Sequence, residues 1–335
     1  MSAEKPGRNY RERTERVERE VLSSRAQLAS ASKGRDAPED EDAMRTCFQR
    51  DRDRIVHSKA FRRLAHKTQV FLAPEGDHYR VRLTHTLEVT QVARTIARAL
   101  RLNEDLVEAV CLGHDLGHSP FGHLGEEVVA SWAPGFRHNL QSVRIVEVLE
   151  DLNLTWEVRD GIANHTWSMP MPATLEAQIA RFADRIAYLN HDIDDAIRAG
   201  ILSEDDLPGA TRADLGSGHS ERIQRMVGDL VANSESGDIA MSTHIAEAMT
   251  VTRDFLFERV YLGRISPVTK EVVYDIVRTL LDHYASNPIP QDEGRWAEDP
   301  RQAAVDYVAG MTDRFAMRAY GRLGGGPLPD LGALG

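Results

Sequence analysis

The sequence has few cysteines and no long apolar run. Among its 335 residues only Cys47 and Cys111 are cysteines, and they stand far apart. A disulfide framework and a cysteine-based zinc site are therefore excluded. No stretch approaches the roughly 18 apolar residues that a transmembrane helix needs. The polar opening segment, MSAEKPGRNYRERTERVERE, lacks the apolar region of a signal peptide. We therefore predict a cytoplasmic protein with no membrane partner.

The net charge of −11 is unevenly distributed along the chain. Residues 1–102 carry 22 Lys and Arg against 15 Asp and Glu, a net +7, which leaves −18 for the remainder. Because the whole chain is acidic, strong general binding to nucleic acid is not expected. The basic first third suits a small anion such as a phosphate. Helices with mixed, solvated charges would explain the charge pattern equally well.

Apolar residues recur with helical spacing along most of the chain. Strand-like alternation is scarce, and its best short example is KTQVFL at residues 67–72. One predicted helix buries a stripe made of Leu87, Val89, Val92, Ile96, Ala99 and Leu100. An all-α fold is therefore predicted. The predicted parts are a polar, partly flexible segment (1–45), a core (46–200), a loop (201–220), a C-terminal helical part packed on the core (221–323) and a flexible tail (324–335).

Residues 114–127, HDLGHSPFGHLGEE, concentrate histidines and carboxylates between glycines. His114 and Asp115 are adjacent, so on a regular helix their side chains point about 100° apart. Both can reach one metal ion only if it lies near the helix end. Gly113 and Gly117 would let another helix approach closely.

Two further metal-binding residue types lie on separate predicted helices. His85 is near the start of one helix, and Asp184 is in the middle of another, flanked by apolar residues. A carboxylate in such surroundings needs cations or hydrogen bonds to offset its desolvation. Asp184 also shares a helix face with four polar residues at spacings of three and four, which are Arg181, Tyr188, Asp192 and Asp195. That face could be solvated, or it could line a cavity.

The order of these residues resembles that of the HD-domain metal-dependent phosphohydrolases. Longer blocks are similar to the bacterial deoxyguanosinetriphosphate triphosphohydrolase-like proteins over residues 45–320. These blocks are FRRLAHKTQVF (61–71), RLTHTLEV (82–89), HDLGHSPFGHLGEE (114–127), FRHNLQSVRI (136–145), TLEAQIARFADRIAYLNHDIDDAIRAG (174–200) and AGMTDRFA (309–316).

The resemblance implies an HD-domain helical bundle with additional C-terminal helices. It implies hydrolysis of a deoxynucleoside triphosphate (dNTP) to deoxynucleoside and inorganic triphosphate. The implied metal ligands are His85, His114, Asp115 and Asp184. His123 and Glu126 match the family's catalytic pair, and His118 and His138 match histidines near the phosphates. The positions that match phosphate or sugar contacts are Arg82, Gln69, Tyr188 and Asp192. A homo-oligomer and a dNTP effector are also compatible with the family.

The residue chemistry agrees with such a site but leaves alternatives open. Nitrogen and oxygen ligands without thiolate suit Mn, Fe, Co, Ni or Zn, with Mg also allowed. The leaving triphosphate needs cations, for which Arg62, Arg63, Lys67 and Arg82 are candidates. The histidines predicted to be structural are His57, His66, His165 and His191. The alternatives are an HD-domain nucleotidase or phosphodiesterase of other specificity, and a nucleotide-sensing or single-strand-binding protein with low turnover.

Overall fold

The computed structural model of the protein describes residues 9–69, 80–262, 267–287, 289 and 297–325. Within these ranges the regular structure is helical, as predicted, and pairing of the β type is limited to one isolated antiparallel bridge between Thr68 and Val81. The α-helices are α1 (Tyr10–Val21), α2 (Cys47–His57), α3 (Lys59–Arg63), α4 (Arg82–Ala99), α5 (Glu104–Gly113), α6 (Gly122–Trp132), α7 (His138–Arg144), α8 (Trp156–Asn164), α9 (Leu175–Arg198), α10 (His219–Asn233), α11 (Thr243–Leu256), α12 (Pro267–Ser286), α13 (Pro300–Ala309) and α14 (Asp313–Arg322).

Local capping explains where several of these helices begin. The Asn103 side chain accepts hydrogen bonds from the backbone N–H groups of Asp105 and Leu106 at the start of α5. Thr46 and Gln49 form a reciprocal capping box on α2. Such caps satisfy backbone donors that have no partner within the helix, and each contributes about 1 kcal/mol. The starts of α2 and α5 are therefore fixed by residues that are close in sequence.

The buried apolar residues form two clusters. The larger cluster joins α2, α4, α5, α8 and α9 with α10 and α11. The smaller cluster packs α6 against α12, α13 and α14. The predicted core (46–200) and the predicted C-terminal part (221–323) thus contribute to both clusters. Because α6 follows directly on the HDLGHSP turn, the second cluster holds one side of that turn.

The predicted burial along α4 is wrong at two positions. Leu87 is 52% exposed, and Ala99 is also exposed, whereas Ala93 and Ala97 are fully buried. The buried face of α4 is therefore rotated relative to the predicted stripe. Its buried surface also includes His85 and Thr86, which apolar periodicity does not count.

Two predicted irregular segments have more local structure than expected. The acidic residues 36–43 contact basic side chains: Asp36 pairs with Arg159 at 2.5 Å, and Glu39 pairs with both Arg50 and Arg54 at 2.5 Å. The predicted loop 201–220 contains a 3₁₀ turn at Glu204–Asp206 and a π-helical turn at Thr211–Leu215, and α10 begins at His219.

Some predictions fall on residues that the structure does not describe. These are part of the strand-like stretch, at 70–72, residues 1–8 of the N-terminal segment, and residues 326–335 of the tail. Among the described helices, none has both the length and the apolar character required to cross a membrane.

Candidate metal centre and active site

Four residues predicted to bind a metal converge from three helices. His85 is in the first turn of α4, His114 and Asp115 follow the last residue of α5, and Asp184 is in the middle of α9. Asp184 Oδ1 lies 3.1 Å from His85 Nε2 and 3.8 Å from His114 Nε2. Asp115 lies 3.9 Å from His85 Nε2 and 3.5 Å from His114 Nε2. Two imidazoles and two carboxylates therefore face one small volume.

Because His114 and Asp115 lie at the end of α5, their side chains can point into the same volume. The α5 helix ends at Gly113, so His114 and Asp115 lie in the turn that follows. A side chain placed at Gly117 would come within 2.4 Å of the His138 carbonyl oxygen, and one at Gly113 would come within 2.5 Å of Ile162. The predicted close approach at these two glycines is confirmed.

The donor atoms fit a divalent metal ion. His114 Nδ1 lies 2.6 Å from the Cys111 carbonyl oxygen, which can only accept. The His114 ring therefore carries its proton on Nδ1, and Nε2 presents a lone pair, as in metal-binding histidines. That Nε2 atom is buried and has no hydrogen-bond partner among the described residues. A buried polar atom without a partner is costly, so a bound cation would offset its desolvation.

Charges in this cluster favour ionised carboxylates. Burial opposes ionisation of Asp184, but the hydrogen bond with His85 and the nearby imidazoles lower its pKa to about 2. Burial likewise opposes ionisation of Asp115, yet His114 and Arg82 hold its pKa well below the usual range. Burial lowers the pKa of His85, whereas Asp184 and Asp115 raise it, and the net shift is upward. A metal ion would displace that proton, because histidine binds metals in its neutral form.

Arg82 is a cation at the edge of this cluster. Its side chain is 2% exposed, and Nη1 donates to Asp115 Oδ2 at 2.9 Å. Its Nε and Nη2 atoms are buried and have no hydrogen-bond partner among the described residues. Two donors therefore remain for an anion beside the metal-binding residues, as the sequence predicted for a phosphate contact.

A second group of polar residues lies beside the first. His118 stacks on His138 with ring centroids 4.2 Å apart. Glu126 accepts from the His138 backbone N–H at 2.9 Å and from its Nδ1–H at 2.9 and 3.1 Å. Ligand atoms of His118, His123 and Glu126 lie within 4.8 Å of one another. The four residues predicted to be catalytic are thus neighbours.

Glu126, which matches the family's catalytic pair together with His123, also contacts His138. The carboxylate hydrogen-bonds to His138, and with His123 also nearby the pKa of Glu126 falls to about 2 although burial opposes this. His123 is an exposed residue, yet the atoms packed around its ring lower its pKa by desolvation. Arg82 acts in the same direction, and Glu126 opposes it. A neutral His123 near pH 7 can accept or pass on a proton.

A strained turn carries these residues, and the C-terminal helices hold it. Phe121 has a left-handed backbone (φ 64°) and so does Gly122 (φ 59°). The Asp313 carboxylate accepts from the Phe121 backbone N–H at 3.0 Å, from the Thr68 backbone N–H at 3.0 Å and from the Thr68 hydroxyl. Lys67 Nζ donates to the His118 carbonyl and, at 2.9 Å, to the Ala309 carbonyl. Burial, with Arg63 and Arg82, lowers the pKa of Lys67 to about 7.

Three of the predicted substrate contacts lie around this centre. The Gln69 carbonyl oxygen is next to Gly122, and its side-chain Oε1 is buried with no hydrogen-bond partner among the described residues. Tyr188 is half-buried one turn after Asp184, and burial raises its pKa to about 12. Asp192 is buried a further turn along α9, and burial raises its pKa to about 8. A carboxyl group with that pKa is mostly neutral at pH 7 and can donate a hydrogen bond.

The other predicted phosphate contacts face elsewhere. Arg62 is exposed, and its guanidinium donates to the His57 carbonyl at 2.8 Å. Arg63 lines a cavity of about 300 Å³ with Lys59, Tyr307, Gly310, Met311, Thr312 and Phe315, and no member of the histidine–aspartate cluster lines it. The ends of the α9 polar face are also engaged, since Arg181 donates to the Thr166 and Met169 carbonyls and Asp195 pairs with Arg80.

His165, predicted to be structural, lies inside the site. It is 2% exposed, its ring contacts those of His114 and His138, and its Nε2 lies 3.3 Å from His138 Nε2. The His191 ring also contacts the His85 ring, with centroids 5.5 Å apart, but its Nε2 pairs with Glu88 at 2.8 Å. His57 and His66 are exposed. No local pattern distinguishes His165 from these, because it ends a short helix outside the main motif.

Two family models match the chain. The HD domain model covers residues 82–189, a range that includes all four predicted metal ligands. The phosphohydrolase-associated domain model covers residues 239–322, which includes α11 to α14.

Similar proteins extend over nearly the whole chain. A deoxyguanosinetriphosphate triphosphohydrolase-like protein from Caldanaerobacter subterraneus subsp. tengcongensis is 53% identical, and the alignment covers 92% of this chain and 94% of that protein. Proteins of the same name from Desulfatibacillum aliphaticivorans and Clostridium perfringens are 47% and 45% identical, each over 93% of this chain and 97% of the relative. A solved structure of a hypothetical protein from Aquifex aeolicus shares the fold, with a TM-score of 0.51 at 18% identity over 81% of this chain and 68% of that chain.

Proposed function

We propose a function from one premise, which is that the chain belongs to the HD-domain deoxyguanosinetriphosphate triphosphohydrolase-like family. The proposed reaction is metal-dependent hydrolysis of dGTP and other dNTPs to deoxynucleoside and inorganic triphosphate. Besides the names of the relatives, one observation carries the proposal. The His85, His114, Asp115 and Asp184 cluster adjoins the four residues predicted to be catalytic. Two buried donors of Arg82 beside it have no hydrogen-bond partner among the described residues.

In this proposal the four-residue cluster holds a divalent metal ion. Such an ion, when bound, withdraws charge from a phosphate oxygen and lowers the pKa of bound water. The chain keeps Asp115 and Asp184 ionised and presents the bare Nε2 of His114, so the ligands are prepared for a cation. The ligand types are compatible with Mn, Fe, Co or Zn, and with Mg.

Hydrolysis at the α-phosphate requires proton transfers that the chain can provide. A bond forms between the water oxygen and the α-phosphorus, and the bond from phosphorus to the 5′-oxygen breaks. One proton leaves the water, and one proton must reach the 5′-oxygen. His123 is the candidate for handling a proton, because the residue is exposed and its lowered pKa keeps it neutral near pH 7. Glu126 fixes His138 and adds negative charge beside His123.

The polar side chains around the metal cluster are suited to bind the phosphates and the sugar of the substrate. The two free donors of Arg82 suit phosphate oxygens, since guanidinium pairs with them through two parallel hydrogen bonds. Gln69 Oε1 is a buried acceptor without a partner among the described residues, which suits a sugar hydroxyl. Tyr188 and Asp192 follow Asp184 on α9 at spacings of four, so they share its face and are candidates for contacts to the sugar. A homo-oligomer and a dNTP effector also belong to this proposal.

The deciding experiment identifies the phosphorus product. The purified protein is incubated with each dNTP alone, and with all four together, in the presence of Mn²⁺ or Mg²⁺. Inorganic triphosphate and deoxynucleoside are expected, and Asp184→Ala serves as the inactive control. Orthophosphate or pyrophosphate would instead indicate an HD-domain phosphohydrolase of other specificity. Absence of turnover even with all four dNTPs would favour a nucleotide-binding role. Faster turnover of one dNTP in the mixture than alone would support the effector.

A further inference from the structure

The cavity beside Arg63 is separate from the histidine–aspartate cluster and has no role in the proposed reaction. Its volume is about 300 Å³, at the lower end of the range of about 300–1,000 Å³ for small-molecule sites. Lys59 and Arg63 line it from α3, and they lie four residues apart, so they share a helix face. Tyr307 and Phe315 line it from α13 and α14. We call this space the α3–α14 cavity.

The two cations of the α3–α14 cavity have no anionic partner in the described part of the chain. Neither the Lys59 ammonium nor the Arg63 guanidinium forms a hydrogen bond or ion pair with a described residue. No acidic side chain is among the described residues that line the cavity. The neighbouring helix α2 differs, because Arg50 and Arg54 both pair with the Glu39 carboxylate. The half-buried Arg63 therefore brings positive charge to the cavity that no described carboxylate balances.

The charge of Arg63 acts on a buried neighbour. Burial is the largest cause of the lowered pKa of Lys67, and the charge of Arg63 is the next largest. Like charges repel more strongly where water is excluded, so an anion bound at Arg63 would offset part of this repulsion. The cavity is therefore a place where negative charge is favourable.

The donors around the cavity suit a phosphate group. The Thr312 hydroxyl accepts from the Phe315 backbone N–H at 3.3 Å, which leaves its own hydrogen for another acceptor. Arg63 offers a planar fork of N–H groups, and Lys59 offers an ammonium. A carboxylate has two acceptor oxygens in one plane, whereas a phosphate group has three or more in a tetrahedral arrangement. Donors from three residues around one cavity therefore favour phosphate.

Residues 310–312 line the cavity between two contacts that hold the predicted catalytic turn. On one side the Ala309 carbonyl accepts from Lys67 Nζ at 2.9 Å, and the same Nζ donates to a carbonyl of the turn. On the other side the Asp313 carboxylate accepts from the Phe121 backbone N–H at 3.0 Å. A ligand held against residues 310–312 would therefore steady both contacts.

We propose that the α3–α14 cavity binds a phosphate group through Lys59, Arg63 and Thr312, and that the bound group steadies the turn from His118 to His123. Two sources carry this chemistry, which are free inorganic phosphates and the phosphate of a nucleotide. Inorganic triphosphate is the product of the proposed reaction, so its part as a source rests on the proposed function. The binding site itself does not.

The test locates binding by hydrogen–deuterium exchange in the full chain as purified. The probes are orthophosphate, inorganic triphosphate and deoxyguanosine monophosphate, none of which is a substrate of the proposed reaction, and sodium chloride at equal ionic strength is the blank. Binding in the cavity should slow exchange at residues 59–65 and 307–316, and steadying of the turn should slow exchange at residues 118–123. Protection by the inorganic anions identifies free phosphate as the ligand, and protection by the nucleotide alone identifies a nucleotide.

Variants test which side chains hold the anion. The anion concentration that gives half of the protection at residues 307–316 reports the affinity of the cavity rather than that of the metal cluster. Arg63→Gln should weaken this affinity about 10- to 100-fold, because hydrogen bonds to charged groups are the stronger kind. Lys59→Gln should weaken it less, since Lys59 is exposed. Arg62→Gln is the matched control and should not change it, because the Arg62 guanidinium on the same helix donates to the His57 carbonyl.

Circular dichroism and the melting temperature without anion establish that each variant is folded. If Arg63→Gln does not fold, Lys59→Gln and the wild-type exchange pattern still decide the question. Absence of protection at residues 59–65 and 307–316 with all three probes would overturn the inference. Equal affinity in the wild type, Arg63→Gln and Lys59→Gln would overturn it as well.

The remaining outcomes separate this site from its link to the turn and from the proposed function. Protection at residues 307–316 without slower exchange at residues 118–123 would refute the link to the turn. Triphosphate release by a protein whose cavity binds no phosphate would refute the site and leave the proposed function intact. Phosphate binding in the cavity of a protein that releases no triphosphate would do the reverse.

Discussion

The Asp313 carboxylate links the C-terminal helices to the turn that carries the predicted catalytic histidines, and Asp313→Ala should break that link. The side chain is 7% exposed and accepts three hydrogen bonds, from the Phe121 N–H, the Thr68 N–H and the Thr68 hydroxyl. The left-handed backbone of Phe121 is disfavoured for a residue with a side chain, so it persists only where neighbours hold it. Without the carboxylate, the turn from His118 to His123 should relax.

The expected loss of stability follows from the donors left behind. A buried N–H without a partner costs about 1–3 kcal/mol, so two such groups cost about 2–6 kcal/mol, reduced where water enters the vacated space. We expect a decrease of about 3–5 kcal/mol in the free energy of unfolding. A domain whose free energy of unfolding is about 5–15 kcal/mol can remain folded after such a loss. Misplacement of the histidines by about 1 Å should lower kcat/KM about 10²-fold. Metal content should not change, because the four predicted ligands lie outside this contact.

Urea unfolding, metal analysis and steady-state kinetics measure these three quantities. Asp299→Ala is the matched control, because Asp299 also accepts two backbone N–H groups, those of Arg301 and Gln302, but does so at an exposed helix start. Asp299→Ala should lower the free energy of unfolding by about 1 kcal/mol and leave activity unchanged. If Asp313→Ala lost less than about 1 kcal/mol, or kept full activity, the reasoning about this contact would be wrong.

Three further predictions concern the site itself. Asp184→Ala should lose bound metal together with activity, and metal content equal to the wild type would contradict its role as a ligand. His123→Ala should keep the metal but lose about 10²–10⁴-fold in kcat, whereas a near-normal rate would remove His123 from the mechanism. Lys67 has a pKa of about 7 in the folded protein and about 10.4 in the unfolded chain. Between these pH values the unfolded chain binds more protons than the folded protein, so the free energy of unfolding rises with pH. Relative to Lys67→Met, the wild type should therefore gain stability from pH 7 to 9.5 in urea unfolding, and a constant difference would refute the lowered pKa.

The helical fold and the candidate metal ligands could be predicted from the sequence because they depend on local or chemical signals. Caps such as Asn103 act within three residues, and apolar periodicity marks the buried side of most helices. Imidazoles and carboxylates that are buried between helices need a polar or cationic partner. The structure brings four such side chains together, which are His85, His114, Asp115 and Asp184. The α4 error at Leu87 has a simple cause, since the buried face also carries polar residues that face the site.

Other site features depend on which distant segments become neighbours. His165 joins His138 across 27 residues, and Asp313 joins Thr68 across 245, so no local spacing signals either contact. The sequence offered Arg62, Arg63, Lys67 and Arg82 as cations for the phosphates and favoured Arg82, which lies three residues before His85. Packing buries Arg82 beside Asp115 and turns Arg62 toward a backbone carbonyl.

The sequence alone thus determined an all-α chain and the residue types able to bind a metal, because apolar periodicity and side-chain chemistry act without knowledge of the fold. Only the tertiary structure decided which histidines meet, which nitrogen of the His114 ring carries the proton and which arginine is buried beside Asp115. Those properties arise from burial and from hydrogen bonds between segments far apart in the chain, and they exist only once the helices have packed.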